Sequence, residues 1–228
     1  MKKNLPLLLV LLGYFSVYFI NSCKKNKDEI NNGSTGISAS FTEEFRSVYD
    51  LTNTSKWVSN IGVGPGWYQG TVASVSKANG AAYGFPAYSS TATPDEYVGS
   101  FTDFAYNGIS SWLITPVLSV KNGDKISFYS RADTGTTYTD RLQVRANKST
   151  SQEMPGTLIG SVGGYTTVLI DINPSQTTSV YPTTWTKYEY TFTGINGKID
   201  LSIGFRYYVP AGYAAKGIGI DQFQFQVN

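Results

Sequence analysis

The chain has 228 residues, of which 18 are basic and 16 acidic, and it contains one cysteine and no histidine. Without histidine, Ser-His-Asp and Cys-His nucleophilic systems are excluded, as are zinc sites built from histidine and cysteine. Any bound metal must therefore be held by oxygen atoms, which favours hard cations such as calcium.

The N-terminus has the pattern of a secretory signal peptide. Lys2 and Lys3 form a short positive region, and a largely apolar run follows from 5 to 20. The run is shorter than the roughly 20 apolar residues of a membrane-spanning helix, so we predict a leader over residues 1–22. Its removal would leave 16 basic residues against 16 acidic ones. A neutral chain without a basic stripe is not expected to bind nucleic acid.

The end of this leader indicates a lipid anchor. Residues 20–23 read Ile-Asn-Ser-Cys, which resembles the lipobox of bacterial lipoproteins, although Asn21 fits that pattern loosely. The resemblance implies that Cys23 receives diacylglycerol, becomes the new N-terminus and holds the chain to a membrane. The alternative is an ordinary secretory signal that leaves a free thiol. Because a single cysteine cannot build a disulfide framework, lipidation is the use that the pattern favours.

A flexible tether is predicted over residues 23–40. This stretch is polar and small, with too few apolar side chains to offset the entropy of ordering it. The Lys-Asp-Glu sequence at 27–29 resembles the export tags that send lipoproteins of the Bacteroidota to the outer face of the outer membrane, although any solvated linker has a similar composition. We therefore expect a lipid-anchored protein of the outer membrane, displayed at the cell surface.

Residues 41–228 are predicted to form a single all-β domain, because strand patterns dominate and no long helical period follows the leader. Apolar and polar residues largely alternate in five runs, at 125–130, 141–145, 188–192, 199–205 and 218–225. Alternation predicts strands that are half buried, as in a sandwich of two antiparallel sheets.

A family resemblance appears at 111–118, which reads Ser-Trp-Leu-Ile-Thr-Pro-Val-Leu, and stretches at 41–45, 138–144 and 217–223 match in order. These motifs resemble the choice-of-anchor J and cleaved-adhesin group of secreted domains. The resemblance implies a jelly-roll β-sandwich related in shape to galactose-binding-like folds. It also implies an extracellular, mainly non-catalytic module, sometimes linked to adhesion or glycan binding.

The octet can also be interpreted from its residues alone. Trp112 lies in an apolar run that predicts a buried strand, and Pro116 ends the ladder because it lacks an N–H donor. We predict that Trp112 packs in the core, with a ligand platform as the alternative.

Related jelly-roll domains often hold a structural calcium between the first and last strands, and the matching positions here are Glu44 and Asp221. Calcium needs six to eight oxygen ligands, so Asp50 or Glu43 and loop carbonyls would have to complete the shell. The alternative is that Glu44 and Asp221 accept hydrogen bonds at strand ends.

Aromatic residues are numerous, with 17 Tyr, 12 Phe and 4 Trp, and some must face outward in a domain of this size. Rings on irregular segments suit sugar or protein surfaces, because they offer contact area with little rotamer entropy to lose. We predict ligand contacts from Trp67, Tyr83 and Tyr208; the alternative for each is packing beneath a loop. Other aromatic residues in irregular segments are Trp57, Tyr68, Phe85, Tyr88 and Tyr213.

The leading functional hypothesis is a non-catalytic surface module that binds a glycan or a host or matrix protein. The enzymatic alternative is carboxylate-dependent glycoside hydrolysis, which needs two acids about 5 to 10 Å apart beside a cleft. Asp140 and Asp221 are the acids to test, although Asp140 beside Arg141 is better explained as a loop cap or as the partner of an arginine such as Arg131. A third hypothesis is an accessory structural subunit of an outer-membrane complex.

Overall fold

Two antiparallel sheets contain nearly all the regular structure of this protein. The structure is a computed structural model, and it describes residues 35–71, 84–88, 96–102, 107–133 and 137–228. Within those ranges there are twelve strands and one short helix. In chain order they are β1 Phe41–Glu43, α1 Val48–Asn53, β2 Val58–Val63, β3 Tyr68–Gln69, β4 Val98–Phe101, β5 Ile109–Ile114, β6 Leu118–Val120, β7 Lys125–Ala132, β8 Leu142–Asn147, β9 Thr167–Ile172, β10 Thr186–Thr191, β11 Ile199–Val209 and β12 Gly217–Gln226.

The first sheet has the order β10-β7-β12-β4-β3, and β1 pairs with β12 beyond the end of β4. The second sheet has the order β2-β5-β11-β8-β9, and β6 pairs with β11. All strand pairs within the two sheets are antiparallel. The predicted all-β sandwich of two antiparallel sheets is confirmed.

The core lies between the inner faces of the two sheets, and aromatic rings fill its centre. The Phe205 ring of the second sheet makes edge contacts with Phe128 and Phe223 of the first, at centroid distances of 5.1 and 5.9 Å. Trp57, which precedes β2, packs against Phe223 at 5.2 Å. Such edge-to-face packing is a preferred geometry for aromatic pairs and adds to the free energy gained by burying their surface.

The five predicted strands are present as β7, β8, β10, β11 and β12, but the prediction that each is half buried is wrong for β11, and also for residues 142–144 of β8 and 217–221 of β12. Residues 201–207 are buried on both faces of the strand. The β8–β9 connection covers their outer face: the Tyr165 hydroxyl lies 2.9 Å from the Ser202 hydroxyl, and the Tyr165 ring lies 5.3 Å from Trp112. Trp112 is therefore buried, as predicted, but under this connection on the outer face of the sheet.

The N-terminal part of the described chain is already attached to the second sheet before β1 begins. The Ile37 amide donates to the Val117 carbonyl at 2.8 Å, and the Ser119 amide donates to the Ile37 carbonyl at 2.9 Å. Contacts therefore begin inside the last residues of the predicted tether. The predicted leader and Cys23 lie outside the described residues. No helix in the described ranges has the length and apolar character needed to cross a membrane.

Candidate functional site

A β-bulge in β12 marks a change of strand partner on one side of that strand. β12 pairs with β4 over residues 217–220 and with β1 over residues 223–225. The register with β7 also shifts between Asp221 and Gln224, and Gln222, inside this shift, has a φ of 50°. Bulges redirect side chains and are frequent beside functional sites. This bulge sets the backbone around Asp221, the last-strand acid that the sequence predicts as a calcium ligand.

The Asp221 carboxylate is fully buried on the outer face of the first sheet. Its Oδ2 accepts a hydrogen bond from the Tyr88 amide at 2.7 Å, and its Oδ1 accepts one from the Gln222 amide at 2.7 Å. Burial raises the pKa of Asp221 to about 7; the two amide bonds oppose the rise, while the negative charges of Glu44 and Glu96 add to it. Asp221 therefore belongs to an acidic group in which like charges repel.

Arg46 lies close to both Glu44 and Glu96, the two more exposed acids of this group. Arg46 Nε donates to Glu44 Oε2 at 2.7 Å and lies 4.0 Å from Glu96 Oε2. Among the described residues, Arg46 is the cation that pairs with these acids, so the group of Glu44, Glu96 and Asp221 keeps a net negative charge. The negative charges of Glu44 and Glu96 both raise the pKa of Asp221; the sequence pairs Glu44 with Asp221 as calcium ligands but does not single out Glu96.

Glu43 and Asp50, the other two acids considered as calcium ligands, lie in the same pocket as Glu44. Glu43, Glu44, Arg46 and Asp50 line a shallow pocket of about 360 Å³. The Glu43 carboxylate already accepts a hydrogen bond from the Phe45 amide at 3.0 Å. Across the described ranges, no three acidic side chains come close enough to hold a metal ion by themselves. A calcium ion would need backbone carbonyls as well.

A stacked tyrosine pair lies directly beside Asp221. The Tyr88 and Tyr129 rings are 3.6 Å apart at their centroids with an interplanar angle of 17°, and their hydroxyl oxygens are 2.9 Å apart. Asp221, Tyr129 and Lys187 are directly opposite one another across β12, β7 and β10, so they share the outer face. Tyr88 covers Tyr129 and remains 44% exposed. Three contacts fix it: the stack, the hydroxyl pair and its amide bond to Asp221.

The rest of the 84–88 segment is held by a small aromatic cluster on the same face. Phe85 stacks on Tyr97 at 4.9 Å and meets the edge of Trp185 at 5.3 Å, while the Arg131 guanidinium lies 4.3 Å from the Phe85 centroid. The Phe85 ring packs directly against the backbone of Gly219, because a Cβ there would come within 2.7 Å of the ring. The backbone is therefore anchored by Phe85, three residues before Tyr88.

Trp67 and Tyr208, two of the three predicted ligand residues, do not form one surface. Trp67 is 2% exposed and packs in the main core, which is the alternative that the sequence left open for it. Tyr208 is half buried on the outer face of the second sheet, with the Arg206 guanidinium 4.1 Å from its ring. Tyr83 lies outside the described residues. The sequence analysis missed Tyr129, although its place in the polar phase of β7 was a signal that it faces outward.

The outer face of the second sheet carries a buried polar row instead. Arg206 lies directly opposite Trp112 and Gln143 in the strand register, and only 4% of it is exposed. The Arg206 guanidinium donates to the Ser110 hydroxyl at 3.0 Å, to Gln143 Oε1 at 3.0 Å and to the Ile159 carbonyl. Burial lowers the pKa of Arg206 to about 10. This arginine fastens the β8–β9 connection onto the sheet.

Asp140 and Arg141 take separate structural roles. Asp140 Oδ1 accepts hydrogen bonds from the Tyr207 hydroxyl and from the Lys216 amide at 3.1 Å. Burial raises the pKa of Asp140 to about 6, and these hydrogen bonds limit the rise. Arg141 forms a bidentate pair with Asp171, at 2.8 and 2.6 Å. Arg131, considered as a partner for Asp140, instead lies over the Phe85 ring.

Comparison with known proteins identifies the fold. No protein-family model and no curated protein matches the sequence. Among solved structures, the K3 cleaved adhesin domain of Lys-gingipain from Porphyromonas gingivalis W83 is similar with a TM-score of 0.53 and 15% identity, over 83% of this chain and 100% of that one. The K1 cleaved adhesin domain of the same protein gives 0.50 and 17%, over 84% and 99%. The chain therefore shares its fold with cleaved adhesin domains.

Proposed function

We propose that this protein is a non-catalytic surface module that binds glycans on the Tyr88–Tyr129 platform, the exposed face of the stacked pair beside Asp221. The observation that carries the proposal is the fixed position of a partly exposed ring. Among the exposed tyrosines of the described ranges, which are Tyr49, Tyr68, Tyr88 and Tyr213, Tyr88 is the one that stacks on a second ring.

A fixed flat ring suits a sugar for two physical reasons. A pyranose has an apolar face of C–H groups that can lie on an aromatic ring, and a ring held in place loses little entropy when the ligand binds. Polar groups nearby can then fix the orientation of the sugar hydroxyls. Lys187 lies opposite Tyr129 on β10, with its ammonium 3.5 Å from Glu189 Oε2. The Lys187 ammonium can donate a hydrogen bond to a sugar hydroxyl, and the Glu189 carboxylate can accept one.

The two acids considered for glycoside hydrolysis are placed poorly for that reaction. Asp140 is 2% exposed and Asp221 is fully buried, and both accept hydrogen bonds from protein groups. Hydrolysis requires an acid and a second carboxylate that reach the glycosidic bond from either side. These positions support a binding role over a catalytic one.

A glycan array probed with the full chain in detergent micelles tests the proposal. We expect saturable binding to a limited set of glycans by the wild type and its loss in Tyr88→Ala. A protein ligand or an accessory structural role predicts no glycan binding at high micromolar concentration; that result would contradict the proposal.

We further propose that the acidic group at the β12 bulge holds a structural calcium ion, with Glu44 and Asp221 as carboxylate ligands. Supporting this, Glu44, Glu96 and Asp221 together carry more negative charge than Arg46 balances. We expect calcium at a hundredfold excess over its Kd to raise the Tm by about 5 to 10 °C. The shift should be much smaller in Asp221→Asn, which keeps an oxygen for the Tyr88 amide but loses the charge.

Three controls make the calcium experiment decisive. Glu44→Gln changes a more exposed ligand and tests the same site if Asp221→Asn folds poorly. Glu153→Gln changes an exposed acid elsewhere, and we expect it to keep the full shift. Magnesium at equal concentration should raise the Tm less, because it accepts fewer protein ligands. Equal calcium shifts in the wild type, Asp221→Asn and Glu44→Gln would contradict the proposed site.

The anchor is proposed from the sequence. We propose that Cys23 is lipidated and that the tether displays the sandwich at the surface of the outer membrane. In cells of a lipoprotein-processing bacterium fed an alkyne-tagged fatty acid, we expect the wild type to be labelled and Cys23→Ser to be unlabelled. Ser22→Ala, which keeps a small residue before the cysteine, should stay labelled. Label in Cys23→Ser equal to that in the wild type would contradict the anchor.

A further inference from the structure

The geometry of the Tyr88–Tyr129 pair points to a covalent modification that does not depend on any glycan ligand. A centroid distance of 3.6 Å, an interplanar angle of 17° and a hydroxyl separation of 2.9 Å together place the two phenols nearly in register. In that arrangement the carbon atoms beside each hydroxyl group are in van der Waals contact. Those ortho carbons are the positions at which two tyrosyl radicals combine.

We propose that Tyr88 and Tyr129 are an intrachain dityrosine site that is oxidised by a haem peroxidase with hydrogen peroxide. Each phenol gives one electron and one proton to the oxidant, which leaves two tyrosyl radicals. A carbon–carbon bond forms between the ortho carbons, and the hydrogens on those carbons move to the two oxygens to restore both phenols. The protein loses two hydrogen atoms, and one peroxide becomes two waters.

Two features separate this pair from the other tyrosines. Tyr88 is 44% exposed, so an oxidant can reach it from solvent. Its ring is also held on Tyr129 by the amide bond to Asp221 and by the packing of Phe85, so the radicals form already in contact. Proximity of this kind replaces an encounter between two chains with a reaction inside one chain. Within the described ranges, the other stacked ring contacts do not join two tyrosines.

The cross-link would join the 84–88 segment to β7 permanently. That segment supplies the amide that hydrogen-bonds Asp221, and it packs on the first sheet through Phe85 and Trp185. A covalent bond between residues 41 positions apart restricts the unfolded chain, as a disulfide does. We therefore expect the oxidised protein to have a higher Tm than the unoxidised protein.

Peptide mapping tests the site directly. The full chain in detergent is treated at low concentration with peroxidase and hydrogen peroxide, and the monomer is digested with trypsin. Tyr129 falls in the peptide 126–131 and Tyr88 in the peptide 78–121. We expect these two peptides joined, with a mass lower by two hydrogens, fragmentation that assigns the bond to Tyr88, and blue dityrosine fluorescence in the monomer.

Variants provide the controls. Tyr129→Phe and Tyr88→Phe each keep a ring in the stack but remove one phenol, and we expect both to reduce monomer fluorescence to background. Tyr213→Phe removes an exposed tyrosine outside the pair and should leave the fluorescence unchanged. Cross-links spread over other tyrosines, or undiminished monomer fluorescence in Tyr129→Phe, would overturn the proposal. Neither result bears on the glycan proposal, which is tested by binding.

Discussion

Replacing Arg206 with alanine is expected to lower the free energy of unfolding by about 3 to 5 kcal/mol. The guanidinium satisfies the Ser110 hydroxyl, the Gln143 amide oxygen and the Ile159 carbonyl. Each buried acceptor left without a donor costs about 1 to 3 kcal/mol. Release of a buried charge offsets part of this loss, while the emptied space beside Trp112 and Tyr208 adds to it. Urea denaturation followed by tryptophan fluorescence measures the change.

Arg206→Lys tests whether charge or geometry matters. A lysine ammonium cannot reproduce the planar fork that reaches three acceptors, so we expect this variant to recover less than half of the lost stability. Lys148→Ala removes an exposed cation just after β8. We expect it to change the free energy of unfolding by less than about 0.5 kcal/mol. If Arg206→Ala unfolded at the same urea concentration as Lys148→Ala, Arg206 would not fasten the β8–β9 connection.

Asp140 is expected to give the protein an unusual dependence of stability on pH. Burial raises the pKa of Asp140 from 3.8 to about 6, so the folded state binds a proton more tightly than the unfolded state. The stabilisation is complete below about pH 4 and is lost as the pH rises through 6. A difference of this size corresponds to about 3 kcal/mol in total, of which about 2 kcal/mol is lost between pH 4 and pH 7. Denaturation across this range should show the loss.

Asp140→Asn isolates this contribution. The asparagine keeps an oxygen to accept from Tyr207 and Lys216 but cannot ionise, so stability should fall less between pH 4 and pH 7 than in the wild type. Subtracting the free energy of unfolding of Asp140→Asn from that of the wild type at each pH removes the contributions of the other acids. Parallel curves for the wild type and Asp140→Asn would show that Asp140 titrates alike in the folded and unfolded states.

The sandwich could be predicted from sequence because apolar and polar residues alternate with a period of two along its strands, as at 125–130 and 218–225. Burial on the outer faces could not be predicted in the same way. Arg206 lies in the polar phase of β11, where alternation predicts exposure. It is buried because a connection far along the chain folds back over it, and periodicity within one strand carries no information about such a cover.

The candidate site was predictable in part for a similar reason. The first-strand and last-strand acids, Glu44 and Asp221, could be paired through the family resemblance, and in the structure the negative charge of Glu44 adds to the raised pKa of Asp221. Tyr88 and Tyr129 are 41 positions apart. Their contact depends on the register of β7 with β12 and on the path of the 84–88 segment. Trp67, chosen as a loop aromatic, lies in the core because the short strand β3 carries that segment onto the first sheet.

Glycan binding by the Tyr88–Tyr129 platform is the property that a single affinity measurement can test. Its most direct test is the affinity of the strongest array ligand for the wild type, Tyr88→Ala and Tyr213→Ala, measured by titration calorimetry on proteins shown to have the same Tm. We expect Tyr88→Ala to bind at least about tenfold more weakly, roughly 1.4 kcal/mol, and Tyr213→Ala to bind as the wild type does. Wild-type affinity in Tyr88→Ala would contradict the account.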